Sequence, residues 1–366
     1  MTPFAYTAVQ TVASPHAHGG NAVSRTMLRV QLALTPATAY AFWLFGWPAF
    51  FLWLITLGAC LLFEFISLRL MGVPHIRRTL GDSSALLTGW LLALTLPPWA
   101  PWWVGVIGAF IAIVIGKQVF GGLGQNVFNP AMVARVALLI SFPLPLTQWV
   151  TPLPLTTLAA PGFIAGLQIT LAGLPPPDAM ASASLLGYAK TELSRGSDLV
   201  QALAAGHAPL ISWIGIRAGS LGESSALLLL AGGLFLLATG VIRWQIPLAV
   251  FAGLAIPAAI GHALDPAHYL GVIPHVLSGA AVLGAFFIAT DYVTSPTTAP
   301  GQLIFGVGVG LLTWVIRTYG SYPEGMAFAV LLMNALTPII DRYTKPRILG
   351  RTRAGKPLDI PAKKGA

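Results

Sequence analysis

The feature that most constrains this 366-residue chain is the recurrence of long apolar segments along nearly its whole length. A helix needs about 20 apolar residues to cross the roughly 30 Å hydrocarbon core of a bilayer. No segment shows the alternating pattern of a membrane β-barrel strand, so we expect an all-α integral membrane protein. Ten spans are predicted, at 26–47, 49–71, 82–97, 101–118, 130–146, 223–242, 246–264, 274–290, 302–318 and 324–341.

The composition agrees with this class. Hydrophobic residues make up 56% of the chain and charged residues 8%, which is too little charge for the surface of a soluble domain. The polar first 25 residues lack the apolar core of a signal peptide, so we expect the first span to be retained. The single cysteine, Cys60, excludes an internal disulfide and an iron–sulfur cluster held by this chain alone.

The basic residues predict the orientation of the chain. With both termini in the cytoplasm, the cytoplasmic segments hold sixteen of the twenty Lys and Arg residues, in accord with the positive-inside rule. We interpret the basic C-terminal tail as an anchor at anionic lipid headgroups, with no nucleic-acid partner. The predicted regions are a cytoplasmic tail 1–25, a first membrane half 26–146, a periplasmic segment 147–222, a second membrane half 223–341 and a basic cytoplasmic tail 342–366.

Ionisable residues at membrane depth are costly and commonly functional. Asp82 opens a short span that ends at two prolines, where it either caps the helix or lines an ion or cofactor cavity. The stretch GESSALL at 222–228 is similar to the DSSALL that begins at Asp82, and we interpret it as a second helix cap of the same kind. Glu64 is predicted to pair with Arg69 at the cytoplasmic interface, an ion site being the alternative.

Two segments interrupt the predicted helices on the cytoplasmic side: 116–135, which contains four Gly, two Asn and a Pro, and 289–301. Irregular backbone at membrane depth is tolerated only where it is buried in protein or lines a cavity. These segments therefore offer side chains for an ion or cofactor cavity, with helix capping as the alternative role. The candidates are Asn126, Asn129, Asp291 and Thr294. The glycines form neither a dinucleotide-binding motif nor a Walker motif.

The remaining polar residues suggest no catalytic chemistry within this chain. The seven histidines show no metal-ligand spacing on a predicted helix. We therefore predict no metal site and interpret the histidines as surface residues. No nucleophile with an accompanying base is recognisable, so no catalytic residue is predicted.

The segment PPPDAMASASLLGYAKTELSR (175–195) is a polar island in the predicted periplasmic region. Its prolines end any preceding helix, and Ser182 and Ser184 stand at the start of a helix predicted to continue through LLGYAKTEL. A phosphate esterified to such a serine would meet free N–H groups and the positive end of the helix dipole. Lys190 and Arg195 add positive charge nearby in sequence. On these grounds alone, helix capping is the commoner role for the serines.

Several stretches together resemble one known family. They include DSSALLTGWLLALTLPPWAPWW, GKQVFGGLGQNVFNPAM, LSGAAVLGAFFIATDYVTSPTTAPGQLIFG and IRTYGSYPEGMAFAVLLMNALTPIIDRYTKPR, which follow one another over nearly the whole chain. They are similar to the NqrB/RnfD family. This family comprises the D subunits of the Rnf electron-transport complex and the homologous B subunits of sodium-translocating NADH:quinone reductase.

The resemblance implies a multi-pass subunit of the bacterial inner membrane, in a complex that moves electrons between ferredoxin and NAD and couples them to Na⁺ or H⁺ transport. The implied fold has two inverted five-helix halves with broken helices. The implied partners are the other Rnf proteins, namely the flavoprotein G subunit, the membrane A and E subunits, and the peripheral B and C subunits. Enzyme activity would belong to the complex as a whole.

The resemblance also implies two flavins. Family members carry an FMN whose phosphate is esterified to the Thr of a Ser-x-Ala-Thr motif on the outer face, and they hold a riboflavin without a covalent bond. In this chain Ala181 replaces the motif's Ser, Ala183 keeps its Ala, and Ser184 stands at the Thr position. Ser184 is therefore the predicted attachment residue for FMN, with attachment at Ser182 or no covalent flavin as the alternatives. The cavity candidates above would serve an ion or the second flavin.

The predicted mechanism is an electron relay through FMN on Ser184, whose redox change biases a gate in the helical core. Ion passage would then depend on cavity groups such as Asp82, Asn129 and Asp291. The alternative is a secondary transporter or channel for a small solute, because broken helices around a midplane cavity suit that class equally well. A passive scaffold for partner subunits is the third hypothesis.

Overall fold

A computed structural model describes residues 23–173, 181–182, 184–196, 198–199 and 216–346, and within them the chain is mostly helical, as predicted. The first part of the chain forms α1 (Val23–Phe45), α2 (Trp47–Leu70), α3 (Ile76–Leu80), α4 (Ser84–Thr95), α5 (Trp102–Phe110), a π-helix (Ile111–Ile115), a 3₁₀-helix (Gln118–Phe120), α6 (Pro130–Ser141) and α7 (Pro143–Thr147). The connecting region forms β1 (Trp149–Val150), α8 (Phe163–Ala172), β2 (Ala181–Ser182) and α9 (Leu185–Ser194).

The last part begins with a 3₁₀-helix (Leu221–Glu223) and continues with α10 (Ala226–Ala238), α11 (Gln245–Leu264), α12 (Val272–Leu277), α13 (Ala281–Leu283), a π-helix (Gly284–Ile288), α14 (Ala299–Tyr319) and α15 (Met326–Tyr343). Among the described residues, four helices are long and apolar enough to cross a bilayer: α2, α5 with its extension to Phe120, α11 and α14. α4, α6, α8 and α10 are shorter apolar helices. Every predicted span contains a helix, whereas ten complete crossings stay a prediction.

The predicted span 274–290 is not one continuous helix. α12 ends at Leu277 and α13 begins at Ala281, with Gly279 between them in the left-handed conformation (φ 64°). A Cβ at Gly279 would collide with the Glu324 carboxylate, so the close approach of that side chain requires glycine here. The helix is therefore broken where a polar side chain enters it.

The connecting region contains structure that the sequence analysis did not predict. α8 packs against α2, where a Cβ at Gly166 would lie 2.6 Å from Trp47 Cβ, and the rings of Trp47 and Phe163 meet edge to face at 5.0 Å. β1 and β2 form a two-stranded antiparallel ladder, which is a small exception to the all-α prediction.

Small residues allow the long helices to pack closely. α11 and α14 meet at Gly253, Gly306 and Gly310, where added side chains would collide with the facing backbone or with Ala249. Close approach at small residues is the usual way in which membrane helices gain contact energy. The first and last parts of the chain are joined where α1 packs on α10 and where α6 packs on α15.

Candidate functional site

α9 begins at Ser184, as the sequence predicts. The Ser184 backbone is extended (φ −64°, ψ 155°), and its Oγ accepts the backbone N–H of Gly187 at 3.2 Å. The helix ends at Ser194, and Gly196 then adopts the left-handed conformation (φ 78°) that commonly ends helices. The predicted helix and the capping role of Ser184 are therefore confirmed.

The surroundings of the Ser184 hydroxyl suit a phosphate ester. A Cβ at Gly187 would lie 3.2 Å from Ser184 Oγ, so the glycine keeps that side of the oxygen clear. The first N–H groups of an α-helix have no partner within the helix, and they attract phosphate at its positive end. Ser182, the alternative residue, lies in β2 and pairs with Trp149 of β1. Asp178 lies outside the described residues.

Lys190 and Arg195 do not lie near the start of α9. A helix rises about 1.5 Å per residue, so Lys190 lies about 9 Å further along the axis. Its Nζ donates to the carbonyl oxygens of Arg317 (3.2 Å) and Tyr322 (3.0 Å), and burial lowers the pKa of this lysine. Arg195 is exposed at the other end of α9, where it pairs with Glu192 at 2.9 Å. Neither cation is therefore positioned to bind a phosphate on the capping serine.

The lysine of α9 instead reaches a buried cluster at the break between α12 and α13. Arg317, near the end of α14, donates to the carbonyl oxygens of His275 (2.6 Å) and Ser278 (3.0 Å). It also binds the Glu324 carboxylate at 2.8 Å, and that carboxylate accepts the N–H of Ala280 at 3.0 Å. One Arg–Glu pair thus satisfies both open ends of the broken helix, which otherwise would leave buried backbone groups without partners.

A second arginine contacts the same break. Arg217 donates to the carbonyl oxygen of Leu277 and to Ser278 Oγ, and beside it Glu223 accepts the hydroxyl of Ser220 at 2.8 Å. None of these charged residues was singled out by the sequence analysis as a site. We call the group the Arg317 cluster; its members are Arg217, Glu223, Arg317 and Glu324.

At the opposite end of α14, a cavity of about 100 Å³ lies between the first and last parts of the chain. Its apolar wall comes from α1, α4, α10 and the second π-helix. Its polar wall includes Ser84, Lys117, Asn126, Asn129 and Asp291, and we call it the Lys117 cavity. Three of the candidates from the two irregular segments are therefore brought together, although they are far apart in sequence.

The other two cavity candidates have different positions. Thr294 Oγ1 donates to Asp291 Oδ2 at 3.1 Å, so it supports the cavity wall from behind. Asp82 does not line the cavity. Its Oδ1 accepts the N–H of Ser84 at 2.7 Å, which is the capping role that the sequence analysis left open.

Asn129 and Asp291 are held by backbone groups. Asn129 Oδ1 accepts the N–H groups of Ala131 and Met132 and caps α6. Asp291 accepts the N–H of Val293 at 3.3 Å.

The predicted pairing of Glu64 with Arg69 is wrong. Glu64 Oε1 lies 2.8 Å from Lys117 Nζ, and the two side chains are 1% and 2% exposed. Five residues along a helix turn the side-chain direction by about 140°, so Glu64 and Arg69 point to different sides of α2. Lys117 also donates to Ser84 Oγ at 2.8 Å, while Glu64 Oε2 has no hydrogen-bond partner among the described residues.

Arg135 is a further buried cation that the sequence analysis did not single out. It lies within α6 and is 8% exposed, and its Nη1 has no hydrogen-bond partner in the described part of the chain. Its charge interacts with those of Glu223 and Glu324. α6 therefore carries a buried positive charge between the Lys117 cavity and the Arg317 cluster.

One histidine differs from its prediction. His275 is 2% exposed and lies in α12 beneath α9, so interpreting it as a surface residue was wrong. His268 is exposed and pairs with Asp265 at 2.7 Å. Within the described ranges, no group of three or more His, Cys, Asp or Glu side chains is arranged to hold a metal ion.

Comparisons with known proteins agree with one another. The model of the NQR2, RnfD, RnfE family matches residues 10–350. A Halorhodospira halophila protein, named as the D subunit of an ion-translocating oxidoreductase complex, is 51% identical over 349 residues, which cover 95% of this chain and 98% of that relative. Proteins of the same name from Stutzerimonas stutzeri and Escherichia coli are 54% identical over 338 residues (92% and 95% covered) and 43% identical over 351 residues (93% and 98% covered).

Proposed function

The chain belongs to the NQR2, RnfD, RnfE family, and we propose that it relays electrons through an FMN esterified to Ser184 within an ion-translocating oxidoreductase complex. The complex would transfer electrons between ferredoxin and NAD and couple them to Na⁺ or H⁺ movement. It would lie in the bacterial inner membrane, with both termini of this chain in the cytoplasm and α9 on the outer face. The other proteins of an Rnf-type complex would be its partners.

The observation that carries this proposal is the position of the Ser184 hydroxyl. It stands at the N-terminus of α9, the lack of a side chain at Gly187 leaves it uncrowded on that side, and it accepts a helix N–H group of the kind that suits a phosphate. A hydroxyl is the one group that the ester needs, so serine can replace the threonine of the family motif. When bound, FMN supplies the electron-accepting and electron-donating ring that no side chain provides.

The residues of α9 and the Arg317 cluster would connect this site to the membrane bundle. Lys190 holds α9 to the backbone of Arg317, and the Arg317 guanidinium holds the ends of the broken helix α12–α13. The π-helix that follows α13 ends beside Thr290 and Asp291 in the wall of the Lys117 cavity. A displacement of α9 would therefore be transmitted to the Lys117 cavity through this series of contacts.

We assign the Lys117 cavity to the translocated cation and its water. Asn126, Asn129 and Asp291 offer the oxygen ligands that alkali cations and protonated water prefer. The same cavity does not fit a riboflavin as it stands. A cavity of about 150 Å³ holds a single benzene ring, whereas this one measures about 100 Å³. We therefore do not assign the second flavin to this cavity.

We also infer that the membrane helices form two inverted five-helix halves. The packing of α1 on α10 and of α6 on α15 supports this arrangement, because these helices hold corresponding places in the two halves. The close pairs α2–α5 and α11–α14 correspond in the same way.

A secondary transporter for a small solute is the rival function. The cavity between two groups of helices, next to a broken helix, favours it. A transporter of this kind would need no covalent flavin, so the state of Ser184 separates the two functions.

The test is a denaturing gel of the chain, purified from cells that express the complete complex and viewed under blue or ultraviolet light. We expect a fluorescent band for the wild type, for Ser184→Thr and for Ser182→Ala, and a dark band for Ser184→Ala. A dark wild-type band would overturn covalent flavinylation. A fluorescent Ser184→Ala band would move the attachment to another residue.

A further inference from the structure

A second cavity lies under the buried face of α9. It measures about 40 Å³ and is separate from the Ser184 hydroxyl, which does not line it. α9 contributes Ala189 and Lys190 to its wall, and the bundle contributes His275 and Arg317. The cavity therefore lies where α9 docks on α12 and α14.

Two nitrogen atoms of residues that line this cavity lack partners. Arg317 Nε and His275 Nδ1 are buried and form no hydrogen bond within the described ranges. The Arg317 side chain is 1% exposed, and its other nitrogens are already bound to carbonyl oxygens and to Glu324. A buried polar atom without a partner costs about 1–3 kcal/mol, so such atoms usually have a bound ligand or water.

Lys190 offers a third donor. An ammonium group has three N–H bonds, and Lys190 donates two of them to the carbonyl oxygens of Arg317 and Tyr322. One N–H therefore remains for a ligand in the cavity. Besides the hydroxyl of Thr318, the side-chain donors in the described wall belong to lysine, arginine and histidine residues.

The fixed charges around the cavity are not balanced. Lys190 and Arg317 in the wall are cationic, and the described wall residues include no carboxylate. Arg317 is paired with Glu324, the Asp265 carboxylate is paired with His268, and Glu192 is paired with the exposed Arg195, whereas Lys190 forms no ion pair among the described residues. An unbalanced positive charge in a partly buried site favours a bound counter-ion.

The volume restricts what the ligand can be. One water molecule takes up about 30 Å³ in the liquid, so a cavity of about this size admits a single small ion or one to two waters. A flavin ring, a quinone or a phosphate ester is too large. Water would satisfy the free donors, but it would leave the positive charge in place.

We propose that this cavity binds a small monovalent anion of halide size, held by Lys190 Nζ beside the buried side chains of Arg317 and His275. The anion neutralises the excess positive charge and ties α9 to the broken helix. The site does not depend on a flavin at Ser184.

The first experiment needs no mutation. The unfolding temperature of the purified chain in detergent is measured in the sodium salts of fluoride, chloride, bromide, iodide and gluconate at equal concentration. A site of limited size gives a saturable stabilisation that is largest for chloride or bromide and smallest for gluconate. A general salt effect changes in one direction from fluoride to iodide, and that result would overturn the proposal.

The second experiment compares two variants of α9 that lose the same charge. Lys190→Gln should raise the half-saturating chloride concentration by about tenfold or more, since a charge-assisted hydrogen bond is lost. Arg195→Gln, on the exposed end of the same helix, should leave it unchanged. Equal chloride responses in the two variants would contradict the assignment.

Lys190 also holds α9 in place, so a third variant guards against misfolding. Ala189→Leu fills the cavity without changing any charge, and it should abolish the preference for chloride over gluconate. The halide series on Ser184→Ala should match the wild type, which separates loss of the anion site from loss of the flavin site. A halide preference retained in Ala189→Leu would place the anion elsewhere.

Discussion

The two ends of the membrane bundle are built in the same way but differ in the partners of their buried cations. α5 with its extension reaches the buried cation Lys117, and α14 reaches the buried cation Arg317. Each following helix has its first N–H groups bound by a side chain, which is Asn129 for α6 and Glu324 for α15. Each end thus combines a buried cation with a side-chain cap.

The difference lies in the partners of the two cations. Arg317 is bound to a carboxylate and to the carbonyl oxygens of a broken helix, so its position is fixed from several directions. Lys117 is bound to Glu64 and Ser84 and lines a cavity. The comparison indicates that the Arg317 end is a joint that holds helices together beside a small cavity of about 40 Å³, while the Lys117 end has a larger cavity of about 100 Å³.

The largest expected effect is at the joint. Arg317→Leu would leave Glu324 without its cation and the ends of α12 and α13 without their caps, so we expect a loss of about 3–5 kcal/mol in the free energy of unfolding. The measurement is denaturant unfolding of the purified chain, with Arg317→Lys as a partial rescue. A loss below about 1 kcal/mol, typical of a surface ion pair, would show that the cluster is not a joint.

At the cavity end, Lys117→Met should cost about 3 kcal/mol, because it leaves the Glu64 carboxylate buried without a cation. The double variant with Glu64→Gln should recover much of this loss, since both charges are then removed together. A double-mutant cycle of unfolding free energies measures the coupling. Additive losses would contradict a direct ion pair.

A smaller effect is expected at the helix cap of the cavity. Asn129→Ala removes the acceptor for two N–H groups of α6 and should cost about 1 kcal/mol. Asn129→Ser keeps a capping oxygen and serves as the matched control. Equal stabilities of the two variants would indicate that the cap contributes little.

The smallest effect is expected on the exposed end of α9. Arg195→Gln breaks only a surface pair with Glu192, so the unfolding free energy should change by less than about 0.5 kcal/mol. Lys190→Gln, in the same helix, should cost more because its hydrogen bonds to the bundle are partly buried. The reverse order would remove Lys190 from the connection between α9 and α14.

Local features were predictable from the sequence. The start of α9 depends on a serine and its next few residues, and the helical segments depend on runs of neighbouring apolar residues. The meeting of Asn126, Asn129 and Asp291 at one cavity could be anticipated only in part. The sequence marked both irregular segments as polar, but it did not indicate that the two segments face each other.

Long-range pairs could not be predicted in this way. Glu64 and Lys117 are separated by 53 residues, so their pairing depends on how α2 and α5 pack. Arg69, close in sequence, looked like the better partner for Glu64. The break at Gly279 depends in the same way on Glu324, which enters from another helix. α8 was missed because its ten residues are too few for a span.

The central claim is that Ser184 carries FMN. Peptide mass mapping of the chain, purified from cells that express the whole complex, tests it most directly. We predict that the peptide containing Ser184 gains the mass of one FMN less one water, with the fragment ions assigning the gain to Ser184. An unmodified peptide, or a modification at Ser182, would contradict the claim.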